Sequence, residues 1–193
     1  MFPPPDARRD LASRLDGRRS TPGSPPASAG RSSSQAQSTP GSPPASAGRF
    51  SSQARSTPVS GGRSAKWHVT LAFLGDADPA AVTSALAGRS FGGPFRLRIA
   101  GSGRFGSVVW AGLAGDVPAL ADLRARVVSA LAGFPVDERD FKPHLTVSYR
   151  FSRTLLDDLA TYDGPEWETS SFAVVRSAHG EYAQLALLPL TTS

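Results

Sequence analysis

Two of the three histidines in this 193-residue chain stand in the same short pattern, in which a threonine follows two residues after the histidine. His68 and Thr70 form the first copy, and His144 and Thr146 form the second. Histidine has an ordinary pKa of about 6.5, so it can accept or donate a proton near neutral pH. Two histidines on either side of one phosphate would supply a general base and a general acid, and the threonine hydroxyls would bind its non-bridging oxygens. The pattern predicts acid–base catalysis by a pair of histidines.

Both copies lie in short apolar segments that are typical of β-strands. Residues 67–75 and 143–149 are rich in apolar, β-branched and aromatic residues. Because side chains alternate along a strand, the histidine and the threonine share one face and the apolar residues share the other. The apolar faces are predicted to be Val69, Leu71 and Phe73 in the first segment and Leu145, Val147 and Tyr149 in the second. Burial of these faces would hold both histidines toward a common cleft.

The paired motifs resemble the two-histidine phosphoesterases, in particular the bacterial RNA 2′,3′-cyclic phosphodiesterases formerly called 2′-5′ RNA ligases. The signature of that family is two H-x-T-x motifs on strands that face a shared cleft. The segments that carry the resemblance are His68-Val69-Thr70-Leu71, Phe73-Leu74-Gly75, Val108-Val109-Trp110-Ala111-Gly112, Phe141-Lys142-Pro143 and His144-Leu145-Thr146-Val147. The resemblance covers residues 67–189 and, more weakly, residues 2–18.

The resemblance implies that the chain opens a terminal RNA 2′,3′-cyclic phosphate to a 2′-phosphate without a metal, with His68 as proton donor and His144 as proton acceptor. The sequence has no H-E-x-x-H motif and no compact group of acidic residues and histidines, so we expect neither a metal nor another cofactor. The motifs do not fix the size of the substrate. A small cyclic nucleotide or an ADP-ribose cyclic phosphate is an alternative to an RNA end, and a non-catalytic protein that binds RNA ends or nucleotides is another.

Arg150 is the candidate for a further positive charge at the phosphate. Members of the resembling family often carry an arginine five residues after the second histidine, but Tyr149 stands at that position here. By strand alternation Arg150 shares the face of His144 and Thr146, whereas Tyr149 falls on the apolar face. We therefore predict that Arg150 binds substrate and that Tyr149 belongs to the core. A surface arginine at the end of a strand is the alternative for Arg150.

Three other residues have both a structural and a functional interpretation. His179 precedes Gly180 between two predicted strands, so we expect it in a hairpin turn, with a contact at the edge of the cleft as the alternative. Trp67 and Trp110 could stack on a nucleobase, since stacking is the usual way to hold an unpaired base. A tryptophan on a strand more often packs in the core, and this is the interpretation that we prefer for both.

The charge of the chain is unevenly distributed. Its net charge is +5, but residues 1–66 carry 10 Lys and Arg against three Asp, whereas residues 67–193 carry 11 Lys and Arg against 13 Asp and Glu. Affinity for RNA in the second part must therefore be local to the cleft. The absence of cysteine excludes disulfides and thiolate chemistry, and no apolar run approaches the length of a membrane span. We expect a cytoplasmic monomer that does not contact membranes.

Residues 18–64 have a low-complexity composition of Ser, Pro, Gly, Ala, Gln and Arg. They contain a tandem repeat of 18 residues, because Ser20–Gln37 is echoed by Ser38–Arg55. Phe50 is the single large apolar side chain in the two copies, so the segment has too little apolar surface to offset the entropy of ordering. We interpret it as a disordered insertion.

The remaining pattern predicts an α+β fold. Helices are expected at residues 6–17, 78–88, 116–131 and 153–162, and strands beside the two motif strands at 95–100, 108–113, 171–176 and 182–188. We assign residues 1–17 as a helix of the catalytic domain, which continues over residues 65–193. The resemblance implies two antiparallel lobes with flanking helices and a pseudo-two-fold axis, each lobe with one motif that faces a central cleft. The family also has a strand before its first helix, and we expect that strand to be missing, since Met1 alone precedes Phe2-Pro3-Pro4-Pro5.

Overall fold

A computed structural model describes residues 1–17, 63–137 and 139–192. Residues 18–62, with the repeat and its predicted disorder, lie outside the described residues. The elements follow in the order α1 (Pro5–Gly17), α2 (Pro79–Leu86), β1 (Phe95–Phe105), β2 (Val108–Gly115), α3 (Val117–Ala130), β3 (His144–Ser148), α4 (Arg153–Ala160), β4 (Trp167–Thr169), β5 (Ser171–Ala178) and β6 (Glu181–Pro189). A 3₁₀ turn at Arg63–Lys66 precedes the first motif.

The strands form two antiparallel sheets, which confirms the predicted α+β class. Strands β1 to β4 make a four-stranded sheet in the order β3-β2-β1-β4, and β5 pairs with β6 in a two-stranded sheet. The four helices lie where the sequence pattern predicts them. The pattern does not predict β4, because its three residues are too few to show an alternation.

The β1–β2 hairpin is longer and its turn is tighter than the sequence pattern predicts. Strand β1 continues to Phe105, and only Gly106 and Ser107 form the turn, where we expect a loop over residues 101–107. A bulge between Ile99 and Ser102 places one extra residue in β1 relative to β2. Glycines in this part of β1 conceal the strand, because glycine is uncommon in strand interiors.

The segment that carries the first motif is not a regular strand, contrary to the prediction. Within residues 67–75, only Val69 is paired in the manner of a sheet, through one antiparallel bridge to Leu145 in β3. On the other side of the segment, the Val69 N–H donates to the Met1 carbonyl at 2.8 Å and the Val69 carbonyl accepts from the Met1 ammonium at 3.0 Å. The predicted alternation also fails at Phe73, which we expected to be buried and which is 62% exposed.

Helix α1 packs against the same hydrophobic core as the sheets. Leu11 is fully buried in that core. Nη1 of Arg8 donates to the Ala65 carbonyl at 2.9 Å, and the Tyr162 hydroxyl donates to the Asp10 carboxylate at 2.6 Å. These contacts fix α1 next to the chain segment that leads into the first motif.

Two aspartates mark the starts of α2 and α3. Asp78 caps α2, since its carboxylate accepts from two N–H groups of the first turn and Pro79 follows it. Asp116 precedes α3, but its carboxylate accepts from the Arg96 N–H of β1 at 3.1 Å and so joins the helix to the sheet. Within the described ranges, no helix has the length and apolarity that a membrane crossing requires.

Candidate active site

The antiparallel bridge between Val69 and Leu145 sets the geometry of the two motifs. In an antiparallel pair, the residue before one partner lies opposite the residue after the other, so each histidine lies opposite the threonine of the other motif. Val69 and Leu145 are fully buried, and their neighbours therefore point to the opposite face. Cβ atoms directly opposite each other in such a pair are about 4.5–5.5 Å apart. We call the resulting group the quartet; it consists of His68, Thr70, His144 and Thr146.

Each histidine of the quartet is oriented by the same kind of backbone contact. Nδ1 of His68 lies 2.8 Å from the Lys66 carbonyl oxygen, and Nδ1 of His144 lies 2.6 Å from the Lys142 carbonyl oxygen. A carbonyl only accepts, so the proton is assigned to Nδ1, and Nε2 of the neutral ring keeps its lone pair. Both Nε2 atoms are thus available for proton transfer. The acceptor is a backbone carbonyl in both cases, which any residue supplies, so the residue types in the sequence do not predict this contact.

His68 lies between two aromatic rings, with centroid distances of 5.0 Å to Tyr182 in β6 and 5.8 Å to Phe2. Burial is the main cause that lowers the pKa of His68, and the Met1 amino group and His144 lower it further when they carry a proton. The backbone carbonyl that accepts from Nδ1 opposes this shift without cancelling it. At neutral pH the neutral form of His68 therefore predominates.

His144 rests on an aromatic cluster at the β1–β2 hairpin. Its ring centroid is 5.1 Å from that of Phe105, in an edge-to-face arrangement, and 5.9 Å from that of Trp110. Trp110 is buried, whereas Phe105 is 43% exposed. Nζ of Lys142 lies 5.4 Å from the centre of the Trp110 ring, within the range of a cation–π interaction. Trp110 is thus buried, as we expected of a strand tryptophan, but it packs beside His144 on the face of Thr146 and not in the main core, where Val109 and Ala111 lie.

Two glycines make room for this cluster. Gly103 is the cross-strand partner of Trp110, and a Cβ atom at Gly103 would lie 2.1 Å from the indole ring. Gly112 is the cross-strand partner of His144, and a Cβ atom there would lie 2.7 Å from the Ala100 carbonyl oxygen. The indole thus lies directly against the backbone of β1, and a side chain at either glycine would displace its neighbours.

The two threonine hydroxyls are available to a substrate. Thr70 is exposed and Thr146 is half-buried. Neither hydroxyl has a hydrogen-bond partner within the part of the chain that the structure describes. A hydroxyl of this kind can donate to an anionic oxygen, so each threonine can bind one non-bridging oxygen of a phosphate held between the histidines.

Arg150 lines a different part of the molecule from the quartet. Together with Trp67 and Phe151, it borders a groove of about 710 Å³ between α1 and α4, and no residue of the quartet lines this groove. The Arg150 N–H and carbonyl both bond to the Ser148 hydroxyl just after β3 ends. The strand alternation therefore does not continue to Tyr149, which we expected in the core and which is 72% exposed. A role of Arg150 in substrate binding stays a prediction.

His179 and Trp67 have the structural positions that we prefer for them. His179 and Gly180 form the two-residue turn between β5 and β6, both with positive φ, at 52° and 75°. Trp67 is 5% exposed and belongs to the core, although it also borders the groove that Arg150 lines.

Comparisons with known proteins agree with this geometry. A family model of the 2′-5′ RNA ligase superfamily matches residues 43–181. An RNA 2′,3′-cyclic phosphodiesterase of Geobacillus stearothermophilus is 37% identical over 98 residues, a match that covers 44% of this chain and 30% of that protein. A solved phosphoesterase is 27% identical with a TM-score of 0.52, over 67% of this chain and 79% of its own. A solved protein of Thermus thermophilus, TT0787, is 27% identical with a TM-score of 0.51, and the match covers 67% of this chain and 80% of that protein. The resemblance predicted from the paired motifs is confirmed: the chain belongs to the 2′-5′ RNA ligase superfamily.

Proposed function

We propose that this protein is a metal-independent phosphodiesterase that hydrolyses terminal RNA 2′,3′-cyclic phosphates to 2′-phosphates. The observation that carries the proposal is the bridge between Val69 and Leu145, because it sets two histidines and two threonines around one point. The family membership supports it, and so does the name of the Geobacillus relative, an RNA 2′,3′-cyclic phosphodiesterase. The proposal assigns the catalysis to the two imidazoles, because the Nδ1 contacts leave both Nε2 atoms available for proton transfer.

In the proposed reaction, a neutral histidine takes a proton from water through Nε2 while the water oxygen bonds to phosphorus. The bond from phosphorus to the ribose 3′-oxygen breaks, and the second histidine protonates that oxygen from Nε2, which leaves a 2′-phosphate. Thr70 and Thr146 donate to the two non-bridging oxygens, on which negative charge grows. Both histidines keep their Nδ1 protons on the carbonyls of Lys66 and Lys142. The ring orientation is thus set before the substrate arrives.

The lowered pKa of His68 favours His68 as the base, the reverse of the roles that the family resemblance implies. A general base must be neutral in the free enzyme, and burial favours the neutral form of His68. His144 then acts as the acid. It lies beside the exposed Phe105 at the hairpin, and its Nε2 atom is free to donate to the leaving oxygen because Nδ1 is held by the Lys142 carbonyl.

Arg150 is proposed as a contact for the RNA chain beyond the terminal nucleotide, because it is exposed and lines a groove apart from the quartet. Replacement by alanine should then raise KM for an RNA oligonucleotide with a cyclic phosphate and leave KM for a cyclic mononucleotide unchanged. An equal rise in KM for both substrates would indicate that Arg150 binds the phosphate. An unchanged KM for both would show that Arg150 does not bind substrate.

The function is tested by incubating the protein with an RNA oligonucleotide that ends in a 2′,3′-cyclic phosphate, in the presence of EDTA. We expect the cyclic end to disappear and a 2′-phosphate to form, identified by its resistance to a 3′-specific phosphomonoesterase. Loss of activity on chelation would contradict the metal-independent mechanism. A 3′-phosphate product would show that the leaving oxygen is the 2′-oxygen. Unchanged RNA together with binding to the cyclic end would support the non-catalytic alternative.

A further inference from the structure

Phe105 occupies an unusual position beside the quartet. Its ring lies edge-to-face with His144 at 5.1 Å, yet 43% of the residue is exposed, at the end of β1. Many apolar side chains elsewhere on the sheet are buried, among them Val109 in the neighbouring strand. An exposed phenyl ring in contact with a proposed catalytic histidine leaves apolar surface uncovered at the place where a substrate would lie.

The ring of Phe105 packs against Trp110 on one side. Trp110 packs against it at 5.4 Å, and Trp110 itself lies on the backbone of Gly103. By strand alternation Phe105 shares the face of Gly103, which is also the face against which the Trp110 ring and His144 pack. Arg104, between them in sequence, points to the opposite face, where its guanidinium lies 5.5 Å from the ring of Phe151. The open side of the Phe105 ring therefore belongs to the same face as the quartet.

We propose that Phe105 is a stacking surface for the nucleobase carried by the ribose whose 2′,3′-cyclic phosphate lies in the quartet. The inference rests on the function proposed above and narrows its substrate class. Every nucleobase has a flat π-face, and a supported aromatic ring binds such a face with little regard to sequence. The contact between Phe105 and His144 means that a base stacked here is attached to the reacting ribose rather than to a distant one. This selects nucleoside 2′,3′-cyclic phosphates and RNA ends over an ADP-ribose cyclic phosphate, whose cyclic phosphate is on a ribose without its own base.

The test compares two substrates that differ only in the base: adenosine 2′,3′-cyclic phosphate and the methyl riboside 2,3-cyclic phosphate. For Phe105→Ala we expect kcat/KM on the adenosine substrate to fall about tenfold to a hundredfold, the usual effect of losing one base–aromatic stack. On the riboside we expect no change. Phe105→Leu keeps an apolar contact with His144 but removes the π-face, so it should show the same selective loss. Leu187→Ala is the control, because Leu187 is also an exposed apolar residue, at 59%, and lies in β6 of the other sheet.

An equal loss on both substrates would overturn the proposal, since it would show that Phe105 only positions His144. Unchanged kinetics on both would overturn it as well. A binding experiment tests the stacking surface independently of hydrolysis. Calorimetry measures the affinity of the protein for adenosine 2′-monophosphate and for ribose 2-phosphate. If neither cyclic phosphate is hydrolysed by the wild-type protein, the proposed function is wrong. A selective loss of adenosine 2′-monophosphate binding in Phe105→Ala would still support the stacking surface, and equal binding by variant and wild type would overturn it.

Discussion

At the scale of single residues, the chemistry depends on where each histidine keeps its protons. Both Nδ1 atoms are directed to backbone carbonyls, those of Lys66 and Lys142, which leaves Nε2 as the reactive atom of each ring. The environments of the two rings differ. His68 lies between Phe2 and Tyr182 and its pKa is lowered by burial, whereas His144 lies at the exposed edge of the hairpin beside Phe105. Two equal motifs are therefore expected to play unequal roles.

The pH dependence of kcat/KM tests these roles. We expect a bell-shaped profile whose ascending limb reports deprotonation of His68, with an inflection below the ordinary histidine pKa of about 6.5. The sign follows from the lowered pKa, since a base with a lowered pKa is already neutral at a lower pH. The residual activity of His68→Asn should lose the ascending limb, and that of His144→Asn should lose the descending limb. Loss of the descending limb in His68→Asn and of the ascending limb in His144→Asn would instead support the roles that the family resemblance implies, with His68 as the acid and His144 as the base.

At the scale of the elements, the second motif could be predicted from the sequence more fully than the first. The alternation over residues 144–148 corresponds to β3, because this strand pairs along its length with β2. The alternation over residues 67–75 does not produce a strand, because the segment pairs only at Val69, with Leu145 on one side and Met1 on the other. Sequence pattern shows which side chains share a face, but strand formation depends on neighbours along the whole segment.

The cluster behind His144 is a feature of the hairpin that the sequence pattern does not predict. Gly103 breaks the apolar alternation of β1, and only the register with Trp110 shows that the indole occupies the space of the missing side chain. The exposure of Phe105 likewise depends on the exact length of β1, which the glycines conceal. The histidines and threonines are recognisable by type and spacing, whereas their supports depend on cross-strand partners.

The variant Gly103→Ala tests this support. The new methyl group would clash with the indole of Trp110, and overpacking of this kind costs about 1–3 kcal/mol of unfolding free energy. Because Trp110 supports His144, we also expect a fall in kcat/KM, with partial recovery in the double variant Gly103→Ala, Trp110→Phe. Gly17→Ala is the control, since a Cβ atom there meets nothing within 4 Å. Urea unfolding and steady-state kinetics give both quantities. A lower unfolding free energy with an unchanged kcat/KM would show that the packing of Trp110 on Gly103 stabilises the fold but does not affect catalysis.

At the scale of the whole molecule, helix α1 precedes the low-complexity segment in sequence and packs beside the 3₁₀ turn that follows the segment. The helix is tied to the 3₁₀ turn by Arg8 and to the end of α4 by Asp10, through the Tyr162 hydroxyl. Desolvation and the Asp10 carboxylate raise the pKa of Tyr162 far above its usual range, so the phenol keeps its donor proton. We propose on this basis that residues 1–17 and 65–193 fold as one catalytic unit.

Replacement of Leu11 by alanine tests whether α1 contributes to the stability of this unit. Leu11 is fully buried, and such a truncation typically costs about 2–5 kcal/mol of unfolding free energy. Leu187→Ala is the matched control, because Leu187 is 59% exposed and its truncation should change stability by no more than about 0.5 kcal/mol. A single unfolding transition shifted by Leu11→Ala supports one unit. A separate early transition for α1 would contradict it.

Deletion of residues 19–62, with a short flexible connection in their place, tests the prediction that the low-complexity segment is an insertion. We expect a nearly unchanged melting temperature and unchanged kcat/KM on a cyclic mononucleotide, because loop-closure entropy varies slowly with length. The segment carries several arginines, so a loss of affinity for long RNA alone would show that they bind the RNA backbone. Unfolding of the deleted protein would show that the segment is part of the fold.

The central claim, that both histidines of the quartet transfer protons, is tested most directly by the kinetics of asparagine variants. Asparagine can keep the hydrogen bond that Nδ1 makes to the backbone carbonyl, and it removes Nε2. We expect His68→Asn and His144→Asn each to lower kcat on an RNA 2′,3′-cyclic phosphate by about 10²–10⁴-fold with EDTA present and an unchanged circular dichroism spectrum. His179→Asn is the control, since asparagine tolerates the positive φ of this turn residue and activity should be unchanged. Near-normal turnover in either His68→Asn or His144→Asn, with the control intact, would contradict the account.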